Sequence, residues 1–142
     1  MIIGLCHGCF DLIHIGHLMH FVEARDFCDK LYVSISSDRF AVKSPGRPIF
    51  SQYERLQLIS ALRMVDRAFI TDQETAVDVI TSIRPHYYFK GSDYLASTDH
   101  RFQLEANACV SVECKLIYTA SPKYSTTDYI LKCSSAASSL LV

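Results

Sequence analysis

The sequence predicts an α/β domain: a five-stranded parallel sheet in the order 3-2-1-4-5, with helices on both faces. Three observations carry this. Short apolar, β-rich runs alternate with longer stretches of helical period along the 142 residues, the pattern of strands joined by crossover helices. Hydrophobic residues make up 49% of the chain, enough for one packed core and too many for a disordered chain. No repeat, linker or break in composition divides it. One domain is therefore expected over residues 1–133, with a flexible Ser/Ala-rich tail at 134–142.

The elements follow in order. Met1 to Cys6 is apolar and reads as the first strand. Gly8-Cys-Phe-Asp-Leu-Ile-His-Ile-Gly-His17 is then a strand-to-helix turn. Leu18, Phe21, Val22, Ala24 and Cys28 mark the apolar positions of the helix after it. Leu31-Tyr-Val-Ser-Ile35 is a second strand, with Ser36, Ser37 and Asp38 at its end. Residues 40–50 hold Lys43, Pro45, Gly46, Arg47 and Pro48 and read as an ordered loop. Ser51-Gln-Tyr-Glu54 is a capping box, opening a helix with Leu58, Ile59 and Leu62 as apolar positions. Ala68-Phe-Ile70 is a third strand. A helix from about Glu74 to Ile83 stops before Pro85. His86-Tyr-Tyr-Phe-Lys90 is a fourth strand, followed by Gly91-Ser-Asp-Tyr94. A helix is expected from about Thr98 to Asn107, then a fifth strand from Glu113 to Tyr118. Residues 121–123 form a loop, and Ser125-Thr-Thr-Asp128 caps a last helix reaching about Cys133.

Composition excludes several functions. A formal net charge of -1 argues against nucleic-acid binding driven by bulk positive charge. No apolar run is long enough to cross a bilayer. The first residues lack the basic stretch of a signal peptide, so a cytoplasmic protein without membrane contact is expected. Six cysteines, at 6, 9, 28, 109, 114 and 133, fall mostly inside strands and helices and read as reduced, buried side chains. Cys6-x-x-Cys9 with His14-x-x-His17 has the outline of a zinc site or redox dithiol. A redox pair usually opens directly onto a helix; here the helix begins later and Cys6 lies within the strand. No metal site is expected there.

In a sheet of this order the ligand crevice lies beyond the carboxyl ends of strands one and four. The Gly8–His17 turn and Lys90–Tyr94 would bound it. The turn offers phosphate the free N–H groups of a helix start, and His14 and His17 add donors. Backbone amides with two imidazoles suit a negatively charged transition state.

Gly8, Phe10, Asp11, His14, Gly16 and His17 resemble the His-x-Gly-His signature of the cytidylyltransferase-like nucleotidyltransferases, a Rossmann-like family. Arg47-Pro48, Glu54-Arg55, Val65-Asp66, Arg84-Pro85, Lys90-Gly-Ser-Asp-Tyr94 and Tyr124-Ser-Thr-Thr look most like the heptose 1-phosphate adenylyltransferase domain of bacterial heptose biosynthesis. There are departures. His7 stands where those enzymes usually have asparagine, and residues 107–112 lack the expected glycines. Arg63, three residues before Asp66, is more similar to glycerol-3-phosphate cytidylyltransferase.

The resemblance implies catalytic roles for His14, His17 and Lys43. It implies nucleotide contacts from Gly8, Cys9, Phe10, His14, His17, Lys90, Gly91, Asp93, Tyr94, Tyr124, Ser125, Thr126 and Thr127. Asp11, Asp38, Lys43 and Arg55 would meet the acceptor. By residue type alone Lys43 is a solvated lysine, Asp38 a strand-end turn residue, and Arg55 a partner for either a phosphate or nearby carboxylates. The implied partners are ATP or CTP, a sugar phosphate or glycerol 3-phosphate, Mg²⁺ carried with the triphosphate, and a second copy in a homodimer. A nucleotide- or zinc-binding module that keeps the fold without turnover is the reading from another class.

Overall fold

Five runs that tolerate burial on both faces pair in parallel. They are β1 (Ile3–Gly8), β2 (Lys30–Ser36), β3 (Arg67–Thr71), β4 (Tyr87–Gly91) and β5 (Lys115–Thr119), in the order β3-β2-β1-β4-β5. The expected topology is the observed one. The computed structural model describes residues 1–120 and 124–140; the loop expected at 121–123 and the end of the expected tail lie outside them. The helices are α1 (Ile15–Asp26), α2 (Gln52–Ser60), α3 (Val77–Ile83), α4 (His100–Ser111) and α5 (Thr126–Leu140).

Side chains alternate across a strand, so the sheet builds two cores. Cys6, Val33, Ile35 and Phe89 pack with Phe21 and Ala24 of α1 and Ile59 of α2. Leu5 and Tyr88 pack on the other side with Val79, Ile80, Ala108 and Cys109 of α3 and α4. Two expected core residues are corrected: Val22 and Leu58 are 45% and 43% exposed. Each follows a residue that faces inward or is next to one, and a step of one residue turns a side chain about 100° round the helix. The last helix runs past Cys133 to Leu140, so the stretch expected as a tail is helical there, consistent with its alanines and its lack of Gly and Pro. The helix expected from Thr98 starts later because Asp99 caps it, accepting the Arg101 N–H at 2.9 Å.

The turn between β1 and α1 is held against its own backbone preference. Phe10 and Leu12 have φ of 52° and 55°, left-handed values that bulky residues rarely adopt. Asp11 lies between them, 4% exposed. Its carboxylate accepts from Arg47 Nε at 2.8 Å and from the N–H groups of Ile49 and Phe50 at 2.9 and 3.0 Å. Arg55, fully buried, donates to the carbonyls of Cys9 and Ser36, both at 2.7 Å, to that of Phe50 at 3.1 Å, and to the Asp38 carboxylate at 2.9 Å. One guanidinium thus ties together the turn, the end of β2 and the start of α2. The capping box at Ser51 and Glu54 is formed as expected.

This redirects two residues expected at the acceptor. Asp11 and Arg55 have their polar atoms turned to the protein's own loops. Arg55→Met keeps a long side chain but leaves three carbonyls and a carboxylate without their donor. The expected loss is on the order of 3 kcal/mol, read by urea denaturation; an unchanged midpoint would contradict the clamp.

Candidate active site

His14 is the N-cap of α1. Its Nδ1 accepts the Gly16 N–H at 3.1 Å, while His17 Nδ1 accepts the His14 N–H at 3.2 Å. Two histidines therefore form a reciprocal capping box, a task usually done by Ser or Thr with Glu. The rings stack with centroids 3.9 Å apart and planes 25° from parallel. Because a backbone N–H occupies each Nδ1, the hydrogen of each neutral ring is assigned to Nε2, on the side away from the helix backbone. The pair presents two N–H donors at a helix start.

Gly16 makes the arrangement possible. A Cβ there would stand 2.8 Å from Tyr124 Cβ and 2.9 Å from His14 Cε1. The start of α5 is thereby brought against the start of α1, and Thr126 Oγ1 donates to the Asp11 carbonyl at 3.1 Å. Two positive helix ends converge beside the imidazoles.

A cavity of about 380 Å³ opens at the carboxyl edge of the sheet beside β1, β2 and β4. Gly8, Cys9, Phe10, His17, Lys43, Lys90, Asp93 and Tyr94 line it among the residues expected at the site. His14, Gly91, Asp38 and Tyr124 to Thr127 lie outside its lining, as do Asp11 and Arg55. Asp38 instead pairs with Arg55. Gly91 has a spatial role: a Cβ there would lie 2.6 Å from Asp93 Oδ1, so the glycine admits the carboxylate.

The cytidylyltransferase-like family matches residues 5–132. The chain belongs to that family. Among curated relatives, the bifunctional protein HldE of Methylobacillus flagellatus is 40% identical over 90 residues, covering 62% of this chain and 18% of the relative. HldE of Koribacter versatilis is 40% identical over 97 residues, covering 67% of this chain and 20% of its own length. The chain thus spans about a fifth of these relatives. Among solved structures, the lipopolysaccharide core biosynthesis protein of Thermoplasma volcanium superposes with a TM-score of 0.73 at 26% identity, covering 87% of this chain and 99% of that one. A pantoate-beta-alanine ligase from Francisella tularensis, TM-score 0.59 at 15% identity over 87% of this chain and 60% of its own, shares the fold.

Within this cytidylyltransferase-like site, sequence reading missed the far wall: His7, Ser36, Phe40, Glu74, Asp99, Arg101, Phe102 and Glu105. Glu105 could have been found. It occupies the buried stripe of α4 with Phe102, Ala108 and Cys109, where an unpaired carboxylate is too costly to leave. It accepts from the Ala76 N–H and the Tyr88 hydroxyl, both at 2.9 Å, and pairs with Lys90 Nζ at 3.1 Å. Lys90 was expected on the nucleotide. Its ammonium is held by Glu105 and lies 4.5 Å from the Tyr94 ring centroid. Lys43, in contrast, is exposed at the cavity.

Burial pushes His17 down to about 3, with the charges of His14, Lys43 and His20 adding to the effect. Burial also lowers His14, and takes His7 and His20 down to about 4. His20 Nδ1 lies 2.8 Å from Thr119 Oγ1. These rings are neutral at pH 7 and donate as neutral groups. Unfolded, they take up protons near pH 6.5. Between that value and about 4 the unfolded chain binds more protons, so the stability these rings contribute is complete above pH 6.5 and is lost as pH falls toward 4. The loss reaches up to about 1.4 kcal/mol per pH unit per group. Urea midpoints should fall between pH 7 and 5, and His20→Gln should flatten the slope; a flat wild-type profile would contradict this.

Proposed function

We propose that the protein transfers a nucleotidyl group from a nucleoside triphosphate to a phosphorylated sugar. The pair favoured is ATP with D-glycero-D-manno-heptose 1-phosphate, giving an ADP-sugar. The observation that carries the proposal is the pair of neutral imidazoles capping α1 beside the switch-point cavity, on a chain about 40% identical to part of HldE proteins. An oxygen of the acceptor phosphate attacks the α-phosphorus. A new P–O bond forms as the bond to the bridging oxygen breaks, and pyrophosphate leaves. No nucleophilic side chain is required, since the acceptor supplies the oxygen; the protein positions the reactants and stabilises charge.

His14 and His17 donate to α-phosphate oxygens, and Lys43 meets phosphate from its exposed loop. The α5 start, with Ser125, Thr126 and Thr127, grips the triphosphate. Among the described residues no cluster of three or more His, Cys, Asp or Glu side chains is arranged to hold a metal ion. A Mg²⁺ carried in on the triphosphate with its own water would neutralise phosphate charge. The runner-up, CTP with glycerol 3-phosphate, drew on Arg63, which is exposed and outside the cavity lining.

Pyrophosphate release across ATP, CTP and UTP, each with heptose 1-phosphate and glycerol 3-phosphate, tests the reading. Release with none of them would leave a binding module in place of an enzyme. His14→Ala and His17→Ala should each lower kcat by roughly 10²–10³ with smaller effects on triphosphate binding; near wild-type kcat in both would remove their catalytic role.

Asp93 stands at the cavity beside the end of β4 and is assigned to the exocyclic amine of the base, which adenine and cytosine have and uracil lacks. UTP should therefore be a poor donor. Asp93→Ala should raise the KM for ATP and relax base choice. UTP turnover equal to that of ATP in the unmutated protein would sink the assignment.

A further inference from the structure

The two faces of the sheet end differently at the carboxyl edge. On the α1/α2 face the core residues remain apolar through Cys6, Ile35 and Phe89. On the α3/α4 face the apolar rung of Leu5, Tyr32 and Tyr88 gives way two residues later to His7, Ser34 and Lys90. His7 and Ser34 are register partners, and His7 Nδ1 lies 2.8 Å from Ser34 Oγ. The contact leaves Nε2 as the ring nitrogen available to the cavity that His7 lines. Nothing in the transfer chemistry above uses this side chain.

Its place among the cavity-lining residues indicates which substrate it meets. Attacking and leaving oxygens lie roughly in line on opposite sides of the α-phosphorus. The triphosphate grip assigned to the α5 start lies on one side, outside the cavity lining. His17 and His7 both line the cavity, and His7 reaches toward β2 through Ser34. With the base assigned to Asp93 at the β4 end, the β1/β2 side of the cavity, where His7 meets Ser34, is left for the acceptor. The local charge narrows the contact further. Burial keeps the His7 imidazole neutral, and the adjacent Lys90 is balanced by Glu105 at 3.1 Å. A floor so balanced suits an uncharged polar group more than a second phosphate. A hydroxyl, which both donates and accepts, matches Nε2 in either tautomer.

We propose that His7, oriented by Ser34, is a specificity-determining contact that pairs Nε2 with a hydroxyl of a polyhydroxylated acceptor. The inference rests on the transferase reading for its substrate class, and its test separates the two.

Pyrophosphate release is measured with ATP and D-glycero-D-manno-heptose 1-phosphate, or with whichever tested pair turns over. His7→Phe, which keeps a ring without polar atoms, should raise the acceptor KM about tenfold and leave the ATP KM within about twofold. His7→Asn, with both a donor and an acceptor, should recover most of the loss, and Ser34→Ala should fall between. An equal rise in both KM values, or an unchanged acceptor KM, overturns the proposal.

Histidine-ring NMR of the unmutated protein gives a reading independent of turnover. Adding the heptose 1-phosphate or glycerol 3-phosphate should move the His7 signals, and ATP alone should not. Signals that neither sugar nor polyol phosphate moves, or that ATP alone moves as much, overturn it. Absence of pyrophosphate from every pair counts against the transferase reading, while the titration still decides His7.

Discussion

The site depends on the ion pairs and hydrogen bonds that hold the β1–α1 turn in an unfavourable backbone shape. Left-handed φ at Phe10 and Leu12 costs roughly 1–2 kcal/mol at each residue, and an isolated turn would relax. Asp11 prevents that by binding Arg47 and the backbone at Ile49 and Phe50. Arg55 adds the Cys9 carbonyl from below. The result places His14 at the first turn of α1. The burial of Arg55 makes sense in these terms: a buried guanidinium is tolerated where carbonyls and a carboxylate satisfy it.

The sheet contributes the second constraint. Its parallel order brings the ends of β1 and β4 together with no strand between. Leu5, Val33, Tyr88 and Phe89 are buried at mid-strand, and His7, Ser34 and Lys90 follow toward the carboxyl edge of the α3/α4 face. Glu105 links α4, the start of α3 and β4 through three contacts. Such a network is rigid when fully satisfied, and it fixes the cavity wall opposite the imidazoles.

Much of the fold was legible because period and punctuation agree. Ser51 and Glu54 announced α2, Pro85 closed α3, and the alternation of strands and helices implied a parallel sheet. The histidine turn was legible because its residue types are chemically specific. The partners of the buried charged residues were less legible. Nothing local in a linear sequence reveals that Cys9, Ser36 and Phe50 converge on Arg55, or Arg47, Ile49 and Phe50 on Asp11. Lys90 is likewise paired within the fold, with Glu105 15 positions away on α4. The extent of α5 was missed because a Ser/Ala run carries little apolar signal.

The capping box of α1 has a consequence for how the imidazoles work. Their Nδ1 atoms are engaged by the same N–H groups that the helix must satisfy in order to form. Ring orientation and tautomer are therefore settled by folding, before any nucleotide arrives. In the proposed reaction a phosphate meeting these donors would encounter dipoles already aligned, leaving little reorganisation for the reactive step. In the proposed transfer, helix initiation and polarisation of the phosphate would fall to the same two rings, and a helix start that frays would misalign both at once.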